Sequence, residues 1–161
     1  MNILLVSDDH GIDGFETAFE MAVQQCGHID AVLHAGDSEQ PDKAYYEYVA
    51  KCPVYIVSGN NDYNKAPMVQ LVELGGRRIL LTHGHRYHVH MGVQNLFYAA
   101  KEQNADVVVF GHTHRPEHVQ ADGINIINPG SLTLPRGSRY GSFAILYIEK
   151  EGINLTHFII N

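Results

Sequence analysis

Five short apolar runs in this chain each break off into a loop carrying Asp, Asn or His, and that repetition restricts the architecture more than any total does. The run Asp106-Val107-Val108-Val109-Phe110 shows the type best. It is apolar and β-branched, which suits a strand buried on both faces. Gly111 then permits a sharp turn, and His112-Thr113-His114-Arg115-Pro116 follows. In an extended or tightly turned segment, two side chains one residue apart can point into the same small volume. Imidazole is a common ligand of transition metals. A lone His-x-His is weak evidence and reads equally as two polar loop residues. The other four strand ends give it weight.

Taken in order, residues 2–7 form a strand that ends in Ser7-Asp8-Asp9-His10-Gly11. Residues 14–26 read as a helix, with Phe15, Ala18, Phe19, Ala22, Val23 and Cys26 at three- and four-residue spacing and Gly27 as its stop. Residues 31–35 are the second strand, closed by Gly36-Asp37-Ser38. Pro41 opens a second helix to about Lys51, with Ala44, Tyr45, Tyr48 and Val49 near one face. Residues 54–57 are the third strand, ended by Ser58-Gly59-Asn60-Asn61-Asp62. Strand and helix in alternation predict a parallel sheet with right-handed crossovers, whose ligand site lies outside the carboxyl ends of the strands.

Residues 68–74 and 77–82 flank Gly75-Gly76 as a hairpin, and its second arm ends in Thr82-His83-Gly84-His85. A helix is predicted from about Met91 to Gln103, with Val93, Leu96, Phe97 and Ala100 on one stripe. Residues 117–120, 124–127, 142–149 and 154–160 read as strands joined by short turns, an antiparallel meander. No linker, repeat or low-complexity stretch divides the 161 residues, so a single domain, 1–161, is the default. Two mixed β-sheets packed face to face, each covered outside by helices, accommodate this order of elements in an α/β class.

The totals set limits. Hydrophobic content of 45% with 18% charged residues marks a folded chain rather than a disordered one. A net charge of −7 argues against a nucleic-acid-coating surface, so no stable nucleic-acid complex is expected. It leaves room for a small phosphorylated substrate, because a bound metal reverses the charge locally. Cys26 and Cys52 lack CxxC spacing and read as small buried hydrophobes in a reducing compartment. The amino-terminal run lacks the basic flank of a signal peptide, and no run approaches a membrane span, so a cytoplasmic location is expected. Of the eleven histidines, five fall within residues 83–112.

The polar residues at the strand ends are Asp8, His10, Asp37, Asn60, His83, His112 and His114. Two carboxylates, a carboxamide and four imidazoles suit two divalent transition metal ions, with Mn the first expectation and Zn, Fe, Ni or Co fitting the same donors. Ca and Mg prefer oxygen alone. Asp37 is the central carboxylate, since one carboxylate can bridge two cations roughly 3.5 to 4 Å apart. Such a pair attracts a phosphate ester and lowers the pKa of a shared water, giving hydroxide for in-line attack on phosphorus. No Gly-x-Ser-x-Gly or comparable protein nucleophile is present.

Asp8-Asp9-His10, Gly36-Asp37, Gly59-Asn60-Asn61-Asp62, His83-Gly84-His85 and Gly111-His112-Thr113-His114, in this order, resemble the motifs of the calcineurin-like metallophosphoesterase family. The small single-domain bacterial and archaeal phosphodiesterases are the nearest match, and Asn128-Pro129-Gly130-Ser131 is similar to a further element of that branch. The resemblance implies a four-layer αββα sandwich. It implies that Asp8, His10, Asp37 and His114 hold one metal and that Asp37, Asn60, His83 and His112 hold the other. It implies a phosphodiesterase more than a monoesterase. Many members carry a His after the Gly-Asn of the third motif, thought to protonate the leaving group. Here that position is Asn61, which cannot act as an acid. His85, two residues from His83, is the candidate replacement. The same fold includes a retromer subunit that serves mainly as a scaffold, so a metal-binding interaction scaffold is the alternative reading.

Other residues carry two readings each. Asp62 is either a group that orients a ligand or substrate, or an Asx turn. Asn128-Pro129-Gly130-Ser131 closes one side of the site or is a plain turn. Arg136 and Arg139, in a Gly-flanked loop, grip a phosphate or are solvated. His34 is packed, orients a ligand or touches the site. His88 and His90 are spare groups at the site rim or nothing, His28, His118 and His157 read as structural or exposed, and Tyr45, Tyr46 and Tyr48 as helix packing. Exposed strands in the terminal meander leave room for a homodimer or higher homo-oligomer. A nucleotide-binding Rossmann fold fails for want of Gly-x-Gly-x-x-Gly after the first strand.

Overall fold

Alternation along the strands becomes layering in space. The computed structural model describes residues 1–39, 42–63 and 66–160. Its elements run β1 (Asn2–Val6), α1 (Phe15–Cys26), β2 (Ala31–His34), α2 (Lys43–Ala50), β3 (Val54–Ile56), β4 (Val69–Leu74), β5 (Arg77–Thr82), α3 (Gln94–Gln103), β6 (Val107–Val109), β7 (Pro116–Ala121), β8 (Ile124–Pro129), β9 (Gly141–Glu149) and β10 (Gly152–Ile160). They build two five-stranded sheets, ordered β10-β9-β1-β2-β3 and β4-β5-β6-β8-β7. Each sheet has three parallel strands, β1-β2-β3 or β5-β6-β8, and two antiparallel additions.

Side chains alternate across these strands, so each sheet serves two cores. Ile3, Leu5, Leu33, Ile79, Leu81, Val107, Val109 and Leu146 meet between the sheets. Leu4, Val6, Val32, Val54 and Ile145 point outward and pack against Phe15, Ala18 and Ala22 of α1 and Tyr46 and Ala50 of α2. On the far side Leu80, Val108 and Ile126 pack against Leu96 and Ala100 of α3. The order is helix, sheet, sheet, helix, as expected. No helix among the described residues is long and apolar enough to cross a membrane.

Several expectations need correction. The four carboxyl-terminal strands are not one meander. β7 and β8 form a hairpin in the second sheet, and β9 and β10 form a hairpin in the first. The third helix begins at Gln94 rather than Met91, because residues 85–91 form two 3-10 turns separated by His88 at φ 54° and closed by Gly92 at φ 121°. In α2 the buried positions are Tyr46 and Ala50, while Ala44 and Tyr48 face solvent. Asp42 caps that helix by accepting from the Ala44 N–H at 3.1 Å, and Pro41 lies outside the described residues. Cys26 and Cys52 are free and half-buried.

Candidate metal centre

The parallel strands of both sheets point their carboxyl ends at one place. Loops after β1, β2, β3, β5 and β6 meet there. The first two are laced by backbone bonds, Asp8 N–H to the Gly36 carbonyl and His10 N–H to the Asp37 carbonyl, both 3.0 Å. Asp8, His10, Asp37, His112 and His114 all have positive φ, between 49° and 68°. Non-glycine residues adopt that region at a cost, so their clustering marks backbone held by its surroundings.

Asp8 has no exposed surface. Its Oδ2 accepts from the Ser7 hydroxyl at 2.6 Å and from the His112 N–H at 3.0 Å. Its Oδ1 is buried without a hydrogen-bond partner of good geometry. Three imidazole Nε2 atoms surround that oxygen, from His114 at 3.2 Å, His83 at 3.9 Å and His10 at 4.0 Å. Asp37 stands beside it, with Oδ2 3.3 Å from His83 Nε2 and 3.9 Å from His10 Nε2.

The other ring nitrogens fix which atom each imidazole offers. His83 Nδ1 lies 2.7 Å from the Ala35 carbonyl, and His114 Nδ1 lies 2.6 Å from the Leu134 carbonyl. A carbonyl only accepts, so both Nδ1 atoms donate. His10 Nδ1 donates to Glu39 Oε1 at 2.7 Å. Each neutral ring then presents Nε2 as a lone pair. Yet His10 Nε2 and His114 Nε2 face one another at 3.3 Å, and His83 Nε2 faces Asn60 Oδ1 at 3.1 Å. Lone pair against lone pair repels. A proton or a cation between them turns each of these contacts into attraction. Donation from Nδ1 to a carboxylate or carbonyl is also the arrangement that orients metal-ligating histidines.

Two compact groups result, Asp8–His10–His114 and Asp8–Asp37–His83, each with its donor atoms within 4.8 Å of one another. Asn60 joins the second through His83. His112 is partly exposed, with its ring centroid 5.1 Å from that of His83, and Asn60 is the most exposed of the seven. Asp8 belongs to both groups, while Asp37, the expected link, belongs to the second and approaches the first at His10, 3.9 Å away. The donor set fits divalent transition metals by its chemistry and by the orphaned Asp8 oxygen.

Charge sharing in the metal-free chain follows the same geometry. Burial alone would raise the Asp8 carboxyl, but the His114 imidazole 3.2 Å away and the His83 charge hold it below the usual carboxylate range. Burial opposes Asp37 too, and His83 and Asn61 overcome it, leaving this carboxyl far below its ordinary value. Burial would lower His83 and His114, but Asp37 and Asp8 raise the first and Asp8 raises the second. His112 is pushed down to about 4 by burial, with the charge of His83 next, so it is neutral near pH 7.

The three remaining candidates fall close by. Asn61 donates to both Asp37 oxygens, from its backbone N–H at 2.9 Å and from Nδ2 at 2.8 Å. Asp62 accepts from the N–H groups of Asp37 at 2.8 Å, Glu39 at 2.7 Å and Gly59 at 2.7 Å, and from the Ser38 hydroxyl at 3.3 Å. Its donors all precede it in the chain, so these bonds hold the ligand loop rather than form an Asx turn. His85 is half-buried, with its ring centroid 5.4 Å from His83 and 6.0 Å from His112 and its Nδ1 without a partner.

The family model for the calcineurin-like phosphoesterase superfamily domain matches residues 1–151. The chain belongs to that family. It is 35% identical over 159 residues to the probable metallophosphoesterase YsnB of Bacillus subtilis, covering 98% of this chain and 90% of that one. It is 31% identical over 167 residues to the phosphodiesterase YfcE of Escherichia coli, covering 91% and 87%. Among solved structures, a predicted phosphoesterase from Streptococcus pneumoniae superimposes with TM-score 0.83 at 31% identity, covering 98% of this chain and 88% of that one. Vps29 of Entamoeba histolytica complexed with zinc superimposes with TM-score 0.73 at 19% identity, covering both chains fully, and shares the fold.

Some of this site is not legible in the sequence. Ser7 and Glu39 each hold one of the seven polar residues, and Glu39 gives no sign of it beyond its nearness to Asp37. Asn128 donates to the Gly111 carbonyl at 2.9 Å and the Thr113 hydroxyl at 3.0 Å, and Ser131 donates to the Asp8 carbonyl at 2.6 Å. That segment therefore closes the site rather than merely turning. His34 is fully buried 3.4 Å from Asp9, whose other oxygen accepts from the Tyr46 hydroxyl at 2.5 Å. Tyr46 thus does more than pack. Two glycines matter by close approach. A methyl group at Gly59 would fall on the Asp37 carboxylate, and one at Gly111 on the Ser7 hydroxyl.

Proposed function

We propose that this phosphoesterase hydrolyses phosphodiesters with two divalent transition metal ions, manganese being the first choice. Asp8, His10, Asp37 and His114 would hold one ion, and Asp37, Asn60, His83 and His112 the other. Bound there, the pair supplies Lewis acidity and an activated water for in-line attack at phosphorus. The observation that carries the reading is the ring of converging acceptors. Nε2 atoms of three histidines with committed Nδ1 protons stand around a buried carboxylate oxygen that has no partner.

The chain's own groups set up the rest. Asn61 fixes both oxygens of Asp37, so that carboxylate cannot rotate away from its position between the two groups. Asn61 carries no acidic proton, and His85 is the group proposed to protonate the leaving oxygen. The name of YfcE, a relative described as a phosphodiesterase, supports diesters as the substrate class.

The test is turnover of bis-p-nitrophenyl phosphate with added Mn against EDTA. Asp37→Asn should lower the metal-dependent rate by at least about 100-fold, the scale on which loss of transition-state charge stabilisation acts. His85→Gln should matter little for a nitrophenolate and cost roughly 100-fold for an alkyl leaving group, as expected of a lost general acid. No metal-dependent turnover, with wild type and Asp37→Asn alike, would overturn the reading. A metal-binding interaction scaffold would then be what remains.

A further inference from the structure

Beside the metal centre the surface opens into a cleft of about 510 Å³, lined by Val89, His90, Thr113, Arg115, Glu117 and Arg136 among others. One wall belongs to the loop after β6. Thr113 sits between His112 and His114, and the His90 ring centroid lies 4.5 Å from that of His112. The Arg136 N–H donates to the His114 carbonyl at 3.0 Å, which pins the arginine loop to the same place. Arg115 lies against that loop, its Nε 3.9 Å from where a side chain at Gly137 would begin.

The cleft's two guanidiniums have no carboxylate partner, as is true of Lys51, Arg86, Arg139 and Lys150 among the described residues, but these two line one concavity. Arg77, Arg78, Lys43 and Lys101 each have a carboxylate within ion-pair distance. Among the described residues neither Arg115 nor Arg136 has one, although Glu117 lines the same cleft. Arg139, the other arginine of that loop, lies over the Tyr140 ring at 5.6 Å and is not part of the lining. Two unpaired guanidiniums on one concave surface of a chain with net charge −7 concentrate positive potential where most of the surface offers the opposite.

We propose that this cleft is an anion subsite that selects phosphodiesters bearing a second phosphate on the group beside the scissile bond. The proposal deepens the phosphoesterase reading and rests on it. A guanidinium presents a rigid fork of donors that matches phosphate oxygens, and two forks suit a dianion. The metal ions take the scissile phosphate, so a separate cationic pair next to His112 and His114 serves a different charged group of the same substrate. Without that pair, the acidic chain would repel the extra phosphate. The sign of the selectivity is therefore diagnostic.

The test compares two chromogenic diesters with the Mn-loaded protein: the p-nitrophenyl ester of thymidine 5′-phosphate and the same ester carrying a 3′-phosphate. Hydrolysis in both cases breaks the bond to nitrophenolate and leaves the thymidine phosphate. Wild type should favour the 3′-phosphorylated ester in kcat/KM by roughly 10- to 100-fold, mainly through KM, as one or two charge-assisted hydrogen bonds allow. In Arg115→Gln/Arg136→Gln the ratio should fall to about one or below. The pair Arg115→Lys/Arg136→Lys should keep part of it. If the double Gln variant does not fold, each single Gln variant must lower the ratio. A wild type without the preference, or variants that retain it, would overturn the subsite and leave the phosphoesterase reading intact. A folded wild type that hydrolyses neither ester would overturn that reading and the subsite together.

Discussion

The carboxylate of Asp62 accepts from three backbone N–H groups and one hydroxyl on the loops after β2 and β3. Those loops carry Asp37 and Asn60, so Asp62 acts through residues it positions. Replacing it by Asn keeps the shape but turns one acceptor into a donor that faces N–H groups. Backbone donors left without an acceptor in a half-buried turn push the loop open. Asp62→Asn should therefore weaken metal binding by roughly 10- to 100-fold, the range typical of groups that orient ligands. Calorimetric titration with Mn measures it, with circular dichroism to show the fold retained. Metal affinity equal to wild type would mean that Asp62 is only a turn residue. Two readings of this residue were open in the sequence because an Asx turn and a ligand-orienting carboxylate use the same residue type at the same place. Only the spatial nearness of residues 37–39 to residue 62 favours the positioning role.

At the scale of elements, the segment that ends β8 ties the two sheets' loops together. Asn128 is fully buried, donates to the loop carrying His112 and His114, and accepts from the Gly130 N–H at 2.8 Å. Asn128→Ala removes these bonds and leaves the buried Gly130 N–H without its acceptor. The cost should be about 2 kcal/mol, which for a chain of this size lowers Tm by roughly 4–8 °C. A thermal melt of the metal-free protein checks it, and a Tm within a degree of wild type would contradict the role. The runs that became β1, β2, β5 and β6 were legible because both faces are buried, and their loops were legible by their donors. The destination of β7 to β10 was not. β9 is apolar on both faces, Phe143 and Ile145 outward and Ala144 and Leu146 inward, and such a strand fits either sheet by pattern alone. The phase of α2 is not legible for a related reason. Three nearby tyrosines blur the stripe, and Tyr46 is drawn inward by the buried acceptor on Asp9, which lies on a loop remote in sequence.

Across the whole molecule, the centre joins the sheets: Asp8, His10, Asp37 and Asn60 follow strands of one, and His83, His112 and His114 follow strands of the other. In the metal-free chain the join is made by protons shared between Asp8, Asp37, His83 and His114. The lowered carboxylates contribute stability that is present above their ordinary value of 3.8 and lost as pH falls through the depressed folded values. The raised imidazoles contribute stability that is full below 6.5 and lost as pH rises through the elevated folded values. Metal reverses the second dependence, because it needs those nitrogens free and expels their protons on binding. Metal should therefore stabilise the protein more at pH 8 than at pH 6. At a free concentration 100 times Kd the gain is about 2.7 kcal/mol, or roughly 5–11 °C in Tm for a chain of this size. Differential scanning calorimetry with Mn and with EDTA at both pH values measures it, with Asp37→Asn as the control. A shift that does not grow with pH, or one that survives intact in Asp37→Asn, would mean that the ions bind elsewhere and do not bridge the sheets.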